Sequence, residues 1–354
     1  MNLSTPRRRT SKRPLAPAVE RSWQRCLALG LQAQQTVAFE LAPRAELRRT
    51  QQTNAALVSA AKPTLRKLAC ALADTHCFAM LTNSAGVVID VTGVIDPQEP
   101  RSQRVTHIGT DLCERSVGTT AIGLALAELK PVYLRRSEHF FADTQVYSCA
   151  AAPLFGARGE CVGVLDITGI DTPERLELQH LVTQCAQTVE NALVTRPAHR
   201  LLLRLNWPGC TLGSAADGMV CLDADGWVTA ANQPARQMLP NLAHLGRAQT
   251  LHASEFLGVA PTRLFDAARR HGTVLELALA SGLTLQVLPI ASDHEDLPVR
   301  PAQRSPGRDS LRVKDVQAIL IRQAMAQAHG NISAAAQALG LSRATLYRKL
   351  GQSE

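Results

Sequence analysis

The sequence has no apolar run approaching the ~20 residues that a transmembrane helix needs, and no apolar segment near its start that would direct secretion. Its nine cysteines are an odd number and follow no disulfide framework. Metal-ligand spacing is also missing, since His107, Cys113, His139 and Cys149 form no CxxC or HxxxH pattern. We therefore expect a soluble protein with reduced thiols, no membrane partner, no metal and no cofactor.

A phosphate-binding loop is absent as well. No lysine follows a glycine anywhere in the 354 residues, so the motif GxxxxGK[ST] cannot occur. In that motif the lysine neutralises the β- and γ-phosphates of a bound nucleotide. The sequence therefore excludes an ATPase domain of this type.

The composition leaves room for two or three folded domains, because 45% of the residues are hydrophobic. The formal net charge of +8 favours a polyanionic partner without indicating sequence-specific binding. Residues 6–14 (PRRRTSKRP) hold five basic side chains and no apolar ones, which predicts a disordered tail. This tail either adds electrostatic affinity for DNA or only keeps the protein soluble.

Residues 331–350 (NISAAAQALGLSRATLYRKL) have the pattern of a helix-turn-helix. Ser333 and Ser342 are candidate N-caps, and Gly340 supplies the turn between the two helices. We expect Arg343 to contact bases and Lys349 to contact phosphate. The alternative is an ordinary helical hairpin with a solvated basic face. The candidate DNA-binding residues are Ser342, Arg343, Thr345, Tyr347, Arg348 and Lys349.

Residues 330–350 resemble the DNA-binding end of the Fis family, and residues 313–329 supply the longer helix that precedes it there. In that family the preceding helix pairs two subunits. The resemblance implies a homodimer in a bacterial cytoplasm. It also implies double-stranded DNA as partner, read as an inverted repeat with half-sites ~34–36 Å or a multiple apart.

Short apolar strands and helices precede this segment. Residues 77–81 and 87–92 predict one hairpin, and residues 147–155 and 161–168 a second. Helical patterns cover residues 20–31, 53–73, 117–129 and 173–194, with Pro131 ending the third. Antiparallel strands framed by helices indicate an α+β sensory module.

Residues 20–194 contain, in order, SWQRCLALGL, GTDLCERSVGTTAIGLAL, EHFF and SCAAAPLFGARGECVGVLDITG. This series resembles the N-terminal half of acetoin-catabolism-type regulators, which contains a GAF domain. The resemblance implies a sheet with helices on one face and a pocket for a small-molecule effector on the other. The ligand-binding residues that it implies are Gly118, Thr119, Thr120, Glu138, His139 and Cys149.

Residues 217–239 predict a strand, a turn, a second strand and a helix, which resembles the opening of a PAS domain; residues 274–279 and 283–288 predict its final hairpin. The expected fold is α+β and multidomain, ending in an all-α helix-turn-helix. Its parts are a basic tail (1–19), N-terminal helices with a GAF-like sensor (20–195), a PAS-like domain (206–290), a linker (291–308) and a Fis-type DNA-binding domain (309–354).

Acetoin-type regulators place an ATPase between sensor and DNA-binding domain, and this sequence lacks its motif. We therefore expect a DNA-binding transcriptional regulator that works without ATP hydrolysis and is not an enzyme, with RNA polymerase as a further candidate partner. The alternative is a thiol redox sensor or enzyme that uses Cys149, activated by Arg135 or Arg136. We expect Asp166 to tie down a loop and Asn232 to cap a helix.

Overall fold

A computed structural model describes residues 15–39, 44–244, 250–270 and 272–292, together with positions 332 and 336. The chain divides into two compact units. The first comprises Met1–Leu154 and Cys161–Ala186, and the second comprises Phe155–Glu160 and Gln187–Glu354. Within the described ranges, no helix has both the length and the apolar character needed to cross a membrane.

Most of the predicted DNA-binding domain lies outside the described residues, as do residues 1–14 of the basic tail. The six candidate DNA contacts also lie outside the described residues: Ser342, Arg343, Thr345, Tyr347, Arg348 and Lys349. Ala336, inside the first predicted helix of the helix-turn-helix, is helical and buried. Ile332 is helical too, one residue before the expected cap at Ser333.

The helices predicted over residues 20–31, 53–73 and 173–194 are confirmed with shifted ends, whereas the helices Arg44–Thr53 and Pro100–Thr106 were not predicted. Helix α1 begins at Pro17, inside the segment assigned to the tail, because proline fits the first helical turn. On α3, side chains buried at spacings of three and four residues form one apolar stripe. These helices are α1 (Pro17–Ala28), α2 (Arg44–Thr53), α3 (Ala55–Leu72), α4 (Pro100–Thr106), α5 (Glu114–Val117) and α6 (Ala121–Glu128). Helix α7 (Glu177–Val194) begins in the first unit and ends in the second, since the division falls between Ala186 and Gln187.

The continuous helix predicted over residues 117–129 is wrong. The structure has α5 and α6 instead, separated at Gly118, whose φ is 64°. A Cβ at this position would lie 2.8 Å from the Phe141 ring, so the turn needs glycine in both conformation and space. Thr120 then caps α6 by accepting a hydrogen bond from the Gly123 amide.

Both predicted hairpins of the first unit are confirmed in one five-stranded sheet with the order β2-β1-β5-β4-β3. Strand β1 is antiparallel to both β2 and β5. On β5, Gly163 faces Leu57 of α3, whereas Asp166 and Thr168 point to the opposite face of the sheet. The strands are β1 (Cys77–Asn83), β2 (Val88–Gly93), β3 (Val132–Leu134), β4 (Tyr147–Phe155) and β5 (Cys161–Ile170).

The second unit holds another five-stranded sheet, with the order β8-β7-β6-β10-β9. The predicted hairpins β7–β8 and β9–β10 are confirmed, and the helix after β8 begins at the Asn232 cap as expected. The central strand β6 was not predicted, and it begins before residue 206. The elements are β6 (Leu201–Asn206), β7 (Gly218–Leu222), β8 (Val228–Ala231), β9 (Leu275–Ala278), β10 (Thr284–Ala291), α8 (Gln233–Met238), α9 (Ala253–Leu257) and α10 (Pro261–Arg269).

Candidate functional site

A small cavity lies in the first unit, on the sheet face opposite α3. The cavity volume is ≈ 30 Å³, counted as the space open to the centre of a water molecule. That volume corresponds to about two or three waters. Its walls combine an apolar majority with a group of polar side chains. The lining residues are Phe39, Met80, Val105, Leu112, Val117, Thr120, Ala121, Ile122, His139, Thr144, Tyr147, Cys149, Asp166 and Thr168.

Four of the polar side chains form a connected row along the sheet. His139 Nε2 lies 3.7 Å from Cys149 Sγ, which lies 3.2 Å from Thr168 Oγ1. The Thr168 hydroxyl donates to Asp166 Oδ2 at 2.6 Å. Residues two apart on a strand share a face, so β5 brings Asp166 and Thr168 to the same wall.

Asp166 ends this row with an unsatisfied oxygen. The residue is 1% exposed, and its Oδ1 has no hydrogen-bond partner. Burial raises the pKa of the Asp166 carboxyl to about 7, although the Thr168 hydroxyl opposes the shift. A buried carboxyl oxygen without a partner costs ~1–3 kcal/mol or more, because its hydration is lost. Among the described residues that line the cavity, Asp166 is thus the one with a buried oxygen that the protein leaves without a hydrogen-bond partner.

His139 is neutral at this site. Burial lowers the pKa of its imidazole to about 4, against hydrogen bonds that raise it. Its Nδ1 lies 3.3 Å from the Arg136 carbonyl oxygen, which can only accept. We therefore assign the proton to Nδ1, which leaves Nε2 as an acceptor.

The Cys149 thiol is protonated rather than activated. Burial raises its pKa well above the ordinary value, and the charge of Asp166 acts in the same direction. The two arginines expected to activate it pair elsewhere: Arg135 with Glu138 and Glu174, and Arg136 with Asp171. Because the thiolate is the reactive form, this environment weighs against a redox or catalytic role for Cys149.

The six residues proposed from the resemblance fall into two groups. Thr120, His139 and Cys149 line the cavity. Gly118, Thr119 and Glu138 do not, because each is engaged in holding the surrounding backbone or helices. Gly118 makes the turn before α6, Thr119 Oγ1 lies 2.8 Å from Ser22 Oγ, and the Glu138 carboxylate accepts from the Arg135 amide at 2.7 Å.

Two polar residues that line the cavity, Asp166 and Thr168, were not among the predicted site residues. Asp166 was expected to tie down a loop, but its partner is a hydroxyl on the same strand. The available signal was a charged residue at a position of β5 flanked on both sides by buried apolar ones. Among the described residues, no three His, Cys, Asp or Glu side chains lie close enough to hold a metal ion.

Two protein families match the chain. The MimR N-terminal domain matches residues 9–184. The bacterial regulatory protein, Fis family, matches residues 312–352. The first match covers the cavity, and the second covers the predicted helix-turn-helix.

Curated relatives are similar to parts of this chain. The chain is 29% identical over 256 residues to the acetoin catabolism regulatory protein of Cupriavidus necator, covering 70% of this chain and 37% of that protein. It is 30% identical over 157 residues to the propane 2-monooxygenase operon transcriptional activator MimR of Mycolicibacterium goodii, covering 44% and 26%. The chain thus spans little more than a third of the length of the first of these relatives, and less of the second.

Among solved structures, the Escherichia coli DhaR(N)–DhaL complex aligns with a TM-score of 0.48 and 16% identity, covering 78% of this chain and 100% of that chain. Residues 185–311, between the two family matches, hold no GxxxxGK[ST] motif. The chain therefore joins a MimR-type N-terminal domain to a Fis-family domain, holds no GxxxxGK[ST] motif between them, and is similar to the acetoin catabolism regulatory protein.

Proposed function

We propose that this protein is a cytoplasmic transcription regulator whose first unit binds a small-molecule effector and whose C-terminal domain binds DNA as a homodimer. The observation that carries the proposal is the cavity of the first unit, whose lining residues include a buried carboxyl without a partner on one oxygen, in a chain that also has a Fis-family domain. The absence of a phosphate-binding motif means that regulation proceeds through DNA occupancy and contacts with polymerase, without ATP hydrolysis.

The direct test is in vitro selection of DNA bound by the full chain, repeated with small alcohols, diols, aldehydes and hydroxyketones. We expect an inverted repeat with half-sites ~34–36 Å apart, or a multiple of that spacing. One or more compounds should change operator affinity. A chain that binds no DNA, or whose operator affinity no compound changes, would contradict the proposal.

Arg343→Ala should weaken operator binding more than binding to unrelated DNA. A side chain at the start of a recognition helix reads bases, and one lost bidentate contact costs ~1–3 kcal/mol at one base position. The measurement is a pair of binding curves on operator and scrambled DNA at one salt concentration.

Lys349→Ala is the matched control for Arg343→Ala, because a lost phosphate contact weakens binding to all sequences and lowers the slope of log affinity against log salt by about 1. Equal loss on both DNAs in Arg343→Ala would show that Arg343 does not read bases. Binding that is insensitive to salt in the unaltered protein would instead indicate a domain that contacts protein and not DNA.

A further inference from the structure

The tip of the β4–β5 hairpin belongs to the second unit, although the strands on either side of it form part of the sheet of the first. The chain enters the second unit at Phe155 and leaves it after Glu160, and we call this segment the hairpin tip. Its turn is closed by two backbone hydrogen bonds. The Gly156 amide donates to the Glu160 carbonyl at 2.8 Å, and the Gly159 amide donates to the Gly156 carbonyl at 3.0 Å. The hairpin tip is therefore a turn fixed relative to the ends of β4 and β5.

Inside the second unit, the Ala157 carbonyl accepts two hydrogen bonds. One comes from the Ala231 amide at the end of β8, at 3.0 Å, and the other from Arg236 Nη2 at 3.2 Å. Strand β8 is an edge of its sheet, and the hairpin tip supplies the acceptor for this edge amide. Ala157 also packs on a buried apolar cluster formed by Val194, Met219, Cys221 and Ala230. The hairpin tip thus covers this edge of the second sheet.

The contacts of the hairpin tip are costly to lose. The Arg236 guanidinium is buried and donates to three backbone carbonyls, one of them that of Ala157. The Phe155 amide is held by the Glu190 carboxylate at 3.2 Å. A buried donor that loses its acceptor without reaching water costs free energy, and the cost is larger for a charged group. Displacing the hairpin tip therefore leaves Arg236 with an unpaired buried N–H.

Both strands of this hairpin line the cavity of the first unit. Cys149 lies on β4, ~20 Å before Phe155 at about 3.3 Å per residue. Asp166 and Thr168 lie on β5, which leads back from the hairpin tip. Close-packed interiors and hydrogen-bonded strands transmit a backbone shift rather than absorb it. A shift at the cavity wall therefore reaches the hairpin tip along β4 and β5.

We propose that the hairpin tip is the element through which the cavity of the first unit acts on the second unit. It has a seated state, with the contacts described above, and a displaced state, in which the Ala231 amide and Arg236 each lose an acceptor. A compound that shifts β4 or β5 on binding changes the balance between these states. Helix α8 begins at the Asn232 cap directly after β8, so displacement also reaches this helix. The inference rests on the proposed sensing function, because it assigns the route that effector binding takes.

Gly159→Ala displaces the hairpin tip from a position that does not line the cavity. The φ of Gly159 is 85°, and an added Cβ would lie 2.8 Å from Cζ of Arg236, which its hydrogen bonds hold in place. Gly282→Ala is the matched control. Gly282 lies in the β9–β10 turn with a φ of 83°, and no heavy atom of the described residues lies within 4 Å of an added Cβ. Both variants carry the same backbone strain, but only Gly159→Ala pushes on the hairpin tip.

The three tryptophans make the unfolding of each unit visible separately. Trp23 lies in the first unit, and Trp207 and Trp227 lie in the second. Urea unfolding of the full chain is followed by fluorescence in Trp23→Phe and in the double variant Trp207→Phe, Trp227→Phe. The two transitions should coincide in the parent and in Gly282→Ala. In Gly159→Ala they should separate by about 0.5–1 M urea, because the units then unfold independently.

Two results of this experiment would overturn the proposal. Separate transitions in the parent would show that the units are not coupled. Coincident transitions in Gly159→Ala would assign the coupling to α7, which also runs through both units.

Native-state hydrogen exchange of the unaltered chain covers the case in which Gly159→Ala does not fold. The amides of Phe155 and Ala231 both take part in the seated contacts, so their protection factors should agree within about threefold. A protection factor of Ala231 lower than that of Phe155 by about tenfold or more would show that the hairpin tip does not hold β8.

The response to effectors separates this inference from the proposed function. The probe is the compound, from the panel of small alcohols, diols, aldehydes and hydroxyketones, that changes operator affinity most in the unaltered protein. Gly159→Ala should still bind this compound, but its operator affinity should respond about tenfold less. A full response in Gly159→Ala would overturn the inference and leave sensing in place. If no compound changes operator affinity, the proposed function fails, and the two unfolding transitions still decide whether the hairpin tip couples the units.

Discussion

Asp217→Ala is expected to destabilise the second unit by about 3–5 kcal/mol, because it removes the acceptor from a buried ion pair. Asp217 is fully buried, and its Oδ2 accepts from Arg204 Nη1 at 2.9 Å and from the Gly213 amide at 2.6 Å. Its Oδ1 accepts from Asn206 Nδ2 at 3.2 Å and from Ser214 Oγ at 3.0 Å. One substitution therefore leaves four donors without this partner.

Urea denaturation followed by circular dichroism measures this loss. Asp266→Ala is the control, because Asp266 pairs with Arg269 at 3.0 Å on α10 with both side chains exposed. An exposed pair of this kind contributes only ~0.2–1 kcal/mol. If the two variants lose similar stability, the network around Asp217 is not what stabilises the second unit.

The free energy of unfolding is expected to fall as pH rises. Glu190→Gln is expected to remove part of this loss. Glu190 lies in the second unit, where its carboxylate accepts from the Phe155 amide at 3.2 Å and from Gln187 Nε2 at 3.3 Å. Burial raises the pKa of Glu190 to about 8, although these hydrogen bonds and the charge of Arg236 oppose the shift. The protonated carboxyl is thus the favoured form in the folded state.

The direction of this pH dependence follows from the number of protons that the folded and unfolded states bind. Between the unfolded pKa of about 4.5 and the folded pKa of about 8, the native state binds more protons than the unfolded chain. Stability from Glu190 is therefore fully present below pH 4.5 and lost as pH rises through 8. Asp166 acts in the same direction over a window that ends near pH 7. The combined change is on the order of a few kcal/mol.

Free energies of unfolding at pH 5 and pH 9 test this dependence. Glu190→Gln should match the unaltered protein at pH 5 and exceed it at pH 9, because glutamine does not ionise. Glu276→Gln, on the exposed side of β9, is the control and should follow the unaltered protein at both values. A Glu190→Gln variant that loses stability with pH as steeply as the parent would show that another group is responsible.

The sequence predicted the local elements of the fold better than their assembly. Turn residues between alternating apolar runs were enough to predict the hairpins β1–β2, β4–β5, β7–β8 and β9–β10. Strand β6 was missed because the continuous run Leu201–Leu203 hides the alternation of buried leucines at Leu201, Leu203 and Leu205, although Pro197 precedes the strand. The break at Gly118 was missed because an apolar pattern that continues across a glycine reads as one helix.

The cavity was only partly predictable for a different reason. His139 and Cys149 carry chemistry that stands out in a sequence, and both line the cavity. Glu138 is equally noticeable, but its carboxylate is used by the backbone three residues earlier. Asp166 gained its importance from burial and from an oxygen without a partner, and both depend on long-range packing that no local pattern encodes.

The register of β10 on β6 has a consequence for how the chain can be cut and rejoined. Ala291 pairs with Leu201, and the Ser292 amide donates to the Arg200 carbonyl at 2.9 Å. The polypeptide thus leaves the second sheet beside the point where it entered. Adjacent ends are what allow a domain to be inserted into, or removed from, another chain. A short glycine–serine bridge would therefore span a deletion of residues 200–292, but the deletion would remove the hydrogen-bond partners of Ala157 and Asn191, which belong to the same unit.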